Sequence, residues 1–383
     1  MKQKVLLVTI FKVPNYGSVL QAYATLQIIE RMGFDCCVLN YDHINSAWSV
    51  AHGTKRRGLK NKIGRIIGLY PHHRKEKKLD KFAYDYFHLT PKYYSIEEIE
   101  REVKGRYDKY VVGSDQVWNT RFTKCDPVFL LEFVKDEDCD CCAISSSFAS
   151  KAIDAKFEDN FQKGLRKFKH ISVREQNGIE ILKTLGISNA SLTLDPTLLL
   201  SANEWNKLID KKKDLPEKYI LLYMWCYAFE PRPMIFDLLR RYQKELNCPI
   251  IALEGYEDCK GKTNLNIIDA TDSSISDFLQ LFANASLVVT SSFHGTAFAL
   301  NYGRPLVSIT PPSEDDRQAC LMKQLNLNQC EIKVLNEKDY CENLNPFYEA
   351  SFEQEKLNKL RKRSIEIIKG MFIEQDKRRM SME

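Results

Sequence analysis

Short apolar runs alternate with amphipathic segments along the whole chain. The runs are bounded by Gly, Pro and polar residues, as buried strands are, whereas the segments between them repeat apolar residues with a helical period. Strands are predicted at residues 5–10, 36–41, 109–113, 141–145, 170–173, 191–194, 219–225, 249–253, 265–268, 287–290 and 305–309. Helices are predicted at 19–32, 176–185, 232–246, 274–284 and 296–301. This alternation is typical of βαβ units, and so of an α/β fold with parallel sheets.

A polar run at residues 203–218, which contains Pro216, separates two series of strands. We therefore predict two Rossmann-like domains facing a cleft, with ligands at the carboxyl ends of the strands. The expected domains are an N-terminal one at 1–205 on the acceptor side and a C-terminal one at 206–345 on the donor side. Residues 346–383 are predicted to be a long amphipathic helix that packs back on the N-terminal domain.

Composition narrows the class of protein. A chain of 383 residues, 44% of them hydrophobic, can form two cores. Its 56 Lys and Arg against 51 Asp and Glu give a net charge of only +5, without the strong basic excess of a nucleic-acid-binding protein. The apolar run at 5–11 lacks the cleavage site of a signal peptide, and the run at 219–229 is too short to span a bilayer. We expect a cytoplasmic protein without a nucleic-acid partner.

Twelve cysteines are expected to be reduced thiols in such a compartment. The run CDCC at 139–142 suggests a metal site, but it lies in a predicted strand, where neighbouring residues point to opposite faces. It also lacks a second pair of ligands elsewhere in the chain. Buried thiols are the favoured interpretation, and no metal is predicted.

One segment interrupts the βαβ pattern. Residues 54–81 are dense in Lys and Arg, nearly free of acids, and interspersed with Ile and Leu. They form a basic insertion in the N-terminal domain. One interpretation is a solvated helix and loop, and the other is a surface that meets an anionic membrane or a lipid diphosphate.

The segment VPNYGSVLQAYATLQ at 13–27 follows the first predicted strand and begins a helix. Gly17 allows the backbone to turn and Ser18 can cap the helix, whose N-terminal N–H groups attract anions. The simpler interpretation is a capped helix without a ligand. The residues expected to line the cleft here are Asn15, Tyr16, Gly17 and Gln21.

A second group of polar residues, VVGSDQVWN at 111–119, also follows a predicted strand. A Trp beside several hydrogen-bonding side chains is a common arrangement for holding a sugar, although a plain loop is the alternative. The candidate sugar-binding residues are Ser114, Asp115, Gln116, Trp118 and Asn119.

Arg174 lies between a predicted strand and a predicted helix, so we expect it to project into the mouth of the cleft. Its guanidinium suits a carboxylate or phosphate held by two hydrogen bonds. The alternative is a salt bridge to a neighbouring acid. Asp195, at another strand end, is expected to be structural.

The stretch SLVVTSSFHGTAFALNYGRPLVSI at 286–309 places His294 where a strand turns into a helix. Ser291 and Ser292 can cap that helix, and Gly295 allows close approach of a ligand. In that position His294 points at an anion bound by the helix N-terminus. This favours a functional over a structural histidine.

The motifs NYGSVLQAYATLQ, GSDQVWN, SVRE, LDPTLLL and SSFHGTAFALNYGRPLV, in this order, resemble the polysaccharide pyruvyl transferase family over residues 4–327. The resemblance implies a glycosyltransferase B-type fold and transfer of the pyruvyl group of phosphoenolpyruvate onto two hydroxyls of a sugar, forming a cyclic ketal. Phosphoenolpyruvate is then the donor substrate, and no cofactor is implied. Motif by motif, the histidine of the family falls on His294 and its cleft arginine on Arg174.

Some members carry an Arg two residues before the His, where this chain has Ser292. We expect Arg317 to supply the missing cation, since Arg304 lies at the far end of the helix. His294 would act as the general acid or base. The expected donor-binding residues are Ser291, Ser292, Phe293, Gly295, Arg317, Asn15 and Gly17. The expected acceptor-binding residues are Tyr16, Gln21, Ser114, Asp115, Gln116, Trp118 and Asn119.

Two alternatives stay open. A nucleotide-sugar-dependent glycosyltransferase of the same fold would need a carboxylate for a ribose, for which Glu314, Asp315 or Asp316 are available. A catalytically inactive carbohydrate-binding protein of a capsule or exopolysaccharide assembly system would keep the fold without turnover. For the pyruvyl transferase, the expected acceptor is a polyprenyl-diphosphate-linked sugar at the inner face of the plasma membrane.

We predict that replacing Lys55, Arg56, Arg57 and Lys60 by Gln weakens binding to anionic vesicles, because each basic residue near such a bilayer contributes about 1 kcal/mol. Cosedimentation with vesicles measures this, and phosphoenolpyruvate binding serves as the control that is expected to stay unchanged. Equal vesicle binding by the two proteins would rule out this membrane contact.

Overall fold

The computed structural model describes residues 2–52, 73–135, 140–210, 213–226, 229–261, 264–311, 317–334 and 344–380. The chain forms two compact units, Met1–Leu199 with Leu360–Glu383 (unit 1) and Leu200–Lys359 (unit 2). It passes into unit 2 after Leu199 and returns to unit 1 inside the last helix. Residues 54–72 of the basic insertion lie outside the described residues.

Within the described residues, unit 1 contains one six-stranded sheet in the order β2-β1-β3-β4-β5-β6. All of its strand pairs are parallel. The strands are β1 Lys4–Val8, β2 Asp35–Val38, β3 Lys109–Val112, β4 Asp140–Ser146, β5 Phe168–Val173 and β6 Ala190–Leu192. Every residue of β3 and β4 is buried, as expected for a parallel sheet covered on both faces.

The helices of unit 1 cross between these strands. They are α1 Tyr16–Arg31, α2 Ala47–Ala51, α3 His73–Tyr86, α4 Ile96–Val103, α5 Thr120–Thr123, α6 Glu158–Leu165, α7 Gln176–Thr184 and α8 Pro196–Leu199. Short 3₁₀ helices lie at His43–Asn45, Pro127–Leu130 and Ala155–Phe157. Several helices begin at side-chain caps, for example α4 at the capping box of Ser95 and Glu98.

Unit 2 has a second parallel sheet, with the order β12-β11-β10-β7-β8-β9 in the described residues. Its strands are β7 Ile220–Tyr223, β8 Ile250–Glu254, β9 Ile267–Asp269, β10 Leu287–Thr290, β11 Leu306–Thr310 and β12 Glu331–Lys333. Counted within the unit and read from β9, this is the Rossmann order 3-2-1-4-5-6, which reverses direction between the first and fourth strands. Those two strands are β7 and β10.

Helices flank this sheet as well. They are α9 Ala202–Asn206, α10 Met234–Leu246, α11 Tyr256–Cys259, α12 Ile275–Asn284, α13 Phe293–Asn301 and α14 Arg317–Leu325, with a 3₁₀ helix at Asn328–Cys330. The last helix, α15 Ala350–Met380, belongs to both units. Near its start, the Gln354 side chain donates to the carbonyl of Leu300 in unit 2. Further along, the Arg361 side chain donates to the carbonyl of Leu198 in unit 1.

The predicted α/β class and the parallel sheets are confirmed. The sequence pattern missed β12, which has only three residues and therefore too little length for a period to show. The helix predicted at 296–301 begins earlier, at Phe293, because Ser292 caps it. The expected domain limits at 205 and 345 differ from the unit limits at Leu199 and Lys359.

The cysteines of β4 are packed in the core of unit 1. Cys141 and Cys142 are both buried, whereas Cys139 lies outside the described residues. Burial raises the pKa of the Cys142 thiol, which disfavours the thiolate that a metal would need. Among the helices that the structure describes, none combines the length and the apolar composition needed to cross a bilayer.

The packing of α13 on its sheet generates a stability prediction. A Cβ at Gly295 would overlap Thr290 Oγ1 and lie 2.9 Å from Tyr223 Cδ1, whereas one at Gly370 in α15 would meet nothing within 4 Å. Gly295→Ala should therefore lower the free energy of unfolding by about 1–3 kcal/mol or more. Gly370→Ala should raise it by about 0.5–1 kcal/mol, since Ala favours the helix. Urea unfolding measures both, and equal stabilities would contradict the packing described.

Candidate active site

The carboxyl ends of β7 and β10 form the point where the strand order of unit 2 reverses, which is where open α/β sheets bind ligands. Side chains join the two ends closely. Thr290 Oγ1 donates to the carbonyl of Tyr223 at 2.7 Å. Ser291 Oγ donates to the carbonyl of Trp225 and accepts from its N–H, each at 2.8 Å. These bonds hold the start of α13 in a defined position.

Ser292 is the N-cap of α13, and its hydroxyl accepts from Gly295 N–H at 3.4 Å. His294 is the second residue of the helix and is only 5% exposed. Its ring meets the Phe293 ring edge-on, with centroids 5.3 Å apart. His294 therefore lies in the first turn, beside N–H groups that lack partners within the helix.

Arg317, the first residue of α14, places its guanidinium over the Phe293 ring at 5.5 Å. It is half-buried. The next residue, Gln318, donates to Ser308 Oγ at 3.1 Å and to Thr296 Oγ1 at 3.3 Å, which fixes the start of α14 against α13 and β11. The guanidinium of Arg317 and the ring of His294 thus both pack against the Phe293 ring.

Gly295 has a different role from the one expected. We predicted that it allows close approach of a ligand, but the space beside its Cα is filled by Thr290 and Tyr223. The missing side chain lets the helix pack on the sheet. Packing on Thr290 and Tyr223 is thus the observed reason for a glycine here, and the donor contact of Gly295 stays a prediction.

In unit 1 the corresponding reversal lies between β1 and β3. Asn15 caps α1 by accepting from Gly17 N–H at 2.9 Å. Tyr16 and Gln21 are fully buried. The Gln21 amide bonds to Thr9 Oγ1 and to two backbone carbonyls. Our expectation that Tyr16 and Gln21 line a ligand site needs correction, because their burial matches the simpler alternative of a capped helix.

Trp118 is also a correction. We expected it to help hold a sugar, but it is 1% exposed. Its Nε1 donates to the carbonyl of Phe129 at 3.0 Å, and its ring packs against Phe148 with centroids 5.1 Å apart. Burial of its apolar rings in the core of unit 1 explains why Trp118 stands there.

The remaining residues of this motif form a buried polar turn. Ser114 donates to the carbonyl of Ser145 and to Asp195. Asp115 accepts from Ser18 Oγ at 2.5 Å. Asn119 caps α5 and donates to the Gln116 side chain at 2.7 Å. Gln116 is half-buried, so it is the member of the motif that best keeps a surface for a ligand.

Arg174 lies elsewhere than predicted, because its side chain is fully buried and not at an open mouth. Its Nη1 donates to Asp195 at 2.6 Å, and its other nitrogens lie 3.4 Å from Asp115 and 3.8 Å from Glu175. Burial opposes its charge, but the three carboxylates raise the pKa of Arg174 above its usual value. The alternative of a salt bridge to neighbouring acids is therefore the one observed.

Sequence reasoning missed one titratable residue at this edge, His43. It lies in the polar run YDHIN, at the end of the strand predicted at 36–41, and that run could have indicated a candidate site residue. Burial lowers the pKa of His43 to about 4, against the opposing influence of Asp42 and Asp115. Nearby, burial raises the pKa of Asp126 to about 7, although Tyr41 donates to it at 2.8 Å.

In the part of the chain that the structure describes, His, Cys, Asp and Glu form no group of three or more arranged to hold an ion. The carboxylates around Arg174 are already engaged by its guanidinium.

The buried cluster predicts that Arg174→Ala lowers the free energy of unfolding by about 3–5 kcal/mol, because three buried carboxylates lose their counter-charge. The matched control is Arg101→Ala, whose side chain is 71% exposed and whose ion pair with Glu102 should contribute at most about 1 kcal/mol. Urea unfolding compares the variants. If Arg174→Ala is as stable as the wild type but no longer binds phosphoenolpyruvate, Arg174 contacts the donor after all.

Solved structures similar to this chain share its fold at low sequence identity. UDP-N-acetylglucosamine 2-epimerase from Rickettsia bellii aligns over 96% of each chain with 11% identity and a TM-score of 0.55. A putative epimerase of the same type from Listeria monocytogenes aligns over 98% of each chain, with 13% identity and a TM-score of 0.53. The UDP-GlcNAc 2-epimerase of Methanocaldococcus jannaschii covers 94% of this chain and 99% of its own, with 15% identity and a TM-score of 0.52.

At these identities the likeness shows the fold alone, two Rossmann-like domains of the glycosyltransferase B type. No curated protein matches the chain. A family model is more specific, because it matches residues 15–313, which include the turn motifs of unit 1 and the β10–α13 junction of unit 2. On that match, the chain belongs to the polysaccharide pyruvyl transferase family.

Proposed function

We propose that this transferase moves the pyruvyl group of phosphoenolpyruvate onto two hydroxyls of one sugar and forms a cyclic ketal. The observation that carries the proposal is the position of His294 in the first turn of α13, at the strand reversal of unit 2 and against Phe293, on whose ring Arg317 also packs. An acid, a helix N-terminus and a cation are the groups that an enol phosphate with a carboxylate requires.

The donor site is proposed at the start of α13. Phosphoenolpyruvate carries a phosphate and a carboxylate, and helix N-termini bind such anions through their N–H groups and partial positive charge. Arg317 would supply the cation that some family members carry at the position of Ser292. The roles proposed for Asn15 and Gly17 in donor binding remain predictions.

His294 would act as the general acid. It gives a proton to C3 of the donor, and C2, which becomes cationic, is attacked by the first sugar hydroxyl. The C–O bond to phosphate then breaks, and the second hydroxyl closes the ketal at the same carbon. Two hydroxyl protons leave the sugar: one replaces the proton delivered to C3 and the other leaves with the phosphate. The balance needs no redox change and no cofactor.

The acceptor is proposed to bind to unit 1 and to be a polyprenyl-diphosphate-linked precursor of a capsule or exopolysaccharide. The basic composition of residues 54–81 motivates this, because it suits lipid diphosphates and anionic membrane at the cytoplasmic face. Of the predicted acceptor residues, Gln116 retains a half-buried side chain.

The competing glycosyltransferase function has a direct test. Several similar solved structures are described as complexes with UDP or UDP-GlcNAc, for example that of Neisseria meningitidis. Glu314, Asp315 and Asp316, which would have to hold a ribose in this chain, lie outside the described residues. Calorimetry with phosphoenolpyruvate and with UDP separates the two functions, since we expect binding of phosphoenolpyruvate only.

The proposal predicts that His294→Gln slows turnover by about 10²–10⁴-fold, the usual contribution of a positioned acid or base. Gln is used because His294 is buried and a truncation to Ala would leave a cavity. Phosphoenolpyruvate affinity should fall only modestly. Turnover is measured as phosphate released from phosphoenolpyruvate in the presence of lipid-linked saccharides extracted from cells.

Arg317→Gln should instead weaken phosphoenolpyruvate binding by about 10- to 100-fold, because a hydrogen bond to a charged group is lost. Arg240→Gln is the matched control, since that side chain is 60% exposed on α10 of the same unit.

If His294→Gln turns over at the wild-type rate but melts at a lower temperature, the histidine is structural and the proposal fails.

A further inference from the structure

His43 occupies a rigid position at the carboxyl edge of the sheet of unit 1. It begins the 3₁₀ helix His43–Asn45, which Asp42 caps by accepting from Asn45 N–H at 3.3 Å. The hydroxyls of Ser46 and Ser49 both donate to the carbonyl of His43. Three side chains thus fix a single short turn, which is more than a solvent loop requires.

The ring of His43 packs against an aromatic side chain, and its nitrogens keep their hydrogen-bonding capacity. It meets the Phe129 ring edge-on with centroids 5.9 Å apart, and the residue is half-buried. Among the described residues, none makes a hydrogen bond to this ring. Because burial lowers the pKa of His43 to about 4, the imidazole is neutral at pH 7 and offers one N–H donor and one acceptor nitrogen.

Asp115 stands close enough to His43 for its charge to oppose the effect of burial on the histidine. Its backbone is left-handed, with φ 70°, a conformation that Asp adopts more readily than most residues with a side chain. Ser18 Oγ and Gln116 N–H hold its carboxylate at 2.5 and 2.9 Å. The carboxylate of Asp115 is therefore fixed in position.

We propose that His43 is a binding residue of unit 1 whose ring accepts a hydrogen bond from a hydroxyl of the sugar acceptor. This rests on the proposed function, which needs a sugar with two free hydroxyls. The site lies beside the strand reversal of β1 and β3, where a ligand is expected, and the sequence motifs did not indicate it.

The charges around the ring select the ligand. Asp42 and Asp115 are the acidic groups facing His43, and each already has a basic partner, Lys92 at 2.9 Å from Asp42 and Arg174 at 3.4 Å from Asp115. Because each carboxylate is paired with a cation, the charge beside the ring is largely balanced and does not favour a phosphate or a carboxylate. A neutral hydroxyl that donates its proton to the imidazole fits both the charge and the hydrogen-bonding capacity.

The test uses saturation-transfer NMR on the full chain with the methyl glycosides of galactose, glucose and mannose as probes. We expect at least one glycoside to bind the wild type. His43→Ala should weaken that binding by about three- to tenfold, the value of one hydrogen bond, and His43→Gln should restore part of it, because its amide oxygen accepts. The control is His88→Ala, whose side chain is 73% exposed elsewhere in unit 1.

Equal glycoside binding by the wild type and His43→Ala, or no binding of any glycoside to the wild type, would overturn the inference. Calorimetry with phosphoenolpyruvate runs in parallel on the same samples, and its affinity should be unchanged in both His43 variants. If the wild type does not bind phosphoenolpyruvate, the proposed function fails instead. The failure of the inference about His43 and the failure of the proposed function are therefore distinguishable.

A pH series gives an independent reading. Glycoside binding should stay constant from about pH 8 to about pH 5 and fall toward pH 4 as His43 takes a proton and its acceptor disappears. His43→Gln should show no such fall. A loss centred near pH 7 would assign the binding to Asp126, whose pKa is about 7, and would overturn the role of His43.

Discussion

Parallel strand pairing is the constraint on which the rest of this structure depends. In the described residues of both units every strand pairs parallel to its neighbours, so the chain must cross back between strands and all carboxyl ends share one edge. Helices then begin at that edge with N–H groups that need partners. Asn15 and Ser292 provide those partners at the two strand reversals, and the candidate site residues follow directly after them.

The carboxyl edges of the two sheets differ in the charged groups that lie there. In unit 2 the start of α13 and the guanidinium of Arg317 favour an anion near His294. In unit 1 three carboxylates surround Arg174, and the carboxylates of Asp42 and Asp115 flank His43. The donor proposed for unit 2 is an anion and the acceptor group proposed for unit 1 is an uncharged hydroxyl, in keeping with these charges.

Much of the fold could be predicted from sequence because it depends on local periodicity. The strands at Leu287–Thr290 and Lys109–Val112 are short apolar runs bounded by Gly or Ser, and a parallel sheet buries such runs on both faces. The ordered motifs also indicated the family. Less could be predicted for the site, because the sequence pattern of a polar residue after a strand is the same whether that residue binds a ligand or a buried side chain. Arg174 and Trp118 looked like ligand contacts and proved to be core residues.

By itself, then, the sequence determined the α/β class, the two series of strands, a helix after the strand that ends at Thr290, and the family, since each follows from neighbouring residues. Only the tertiary structure decided which polar side chains are engaged in buried hydrogen bonds and ion pairs within the protein. Arg174 is neutralised by Asp195, twenty-one residues away in sequence, and Asp115, fifty-nine away. His43 became a candidate only when folding placed its half-buried ring near Asp115. Burial and charge depend on distances in space, and no local pattern contains them.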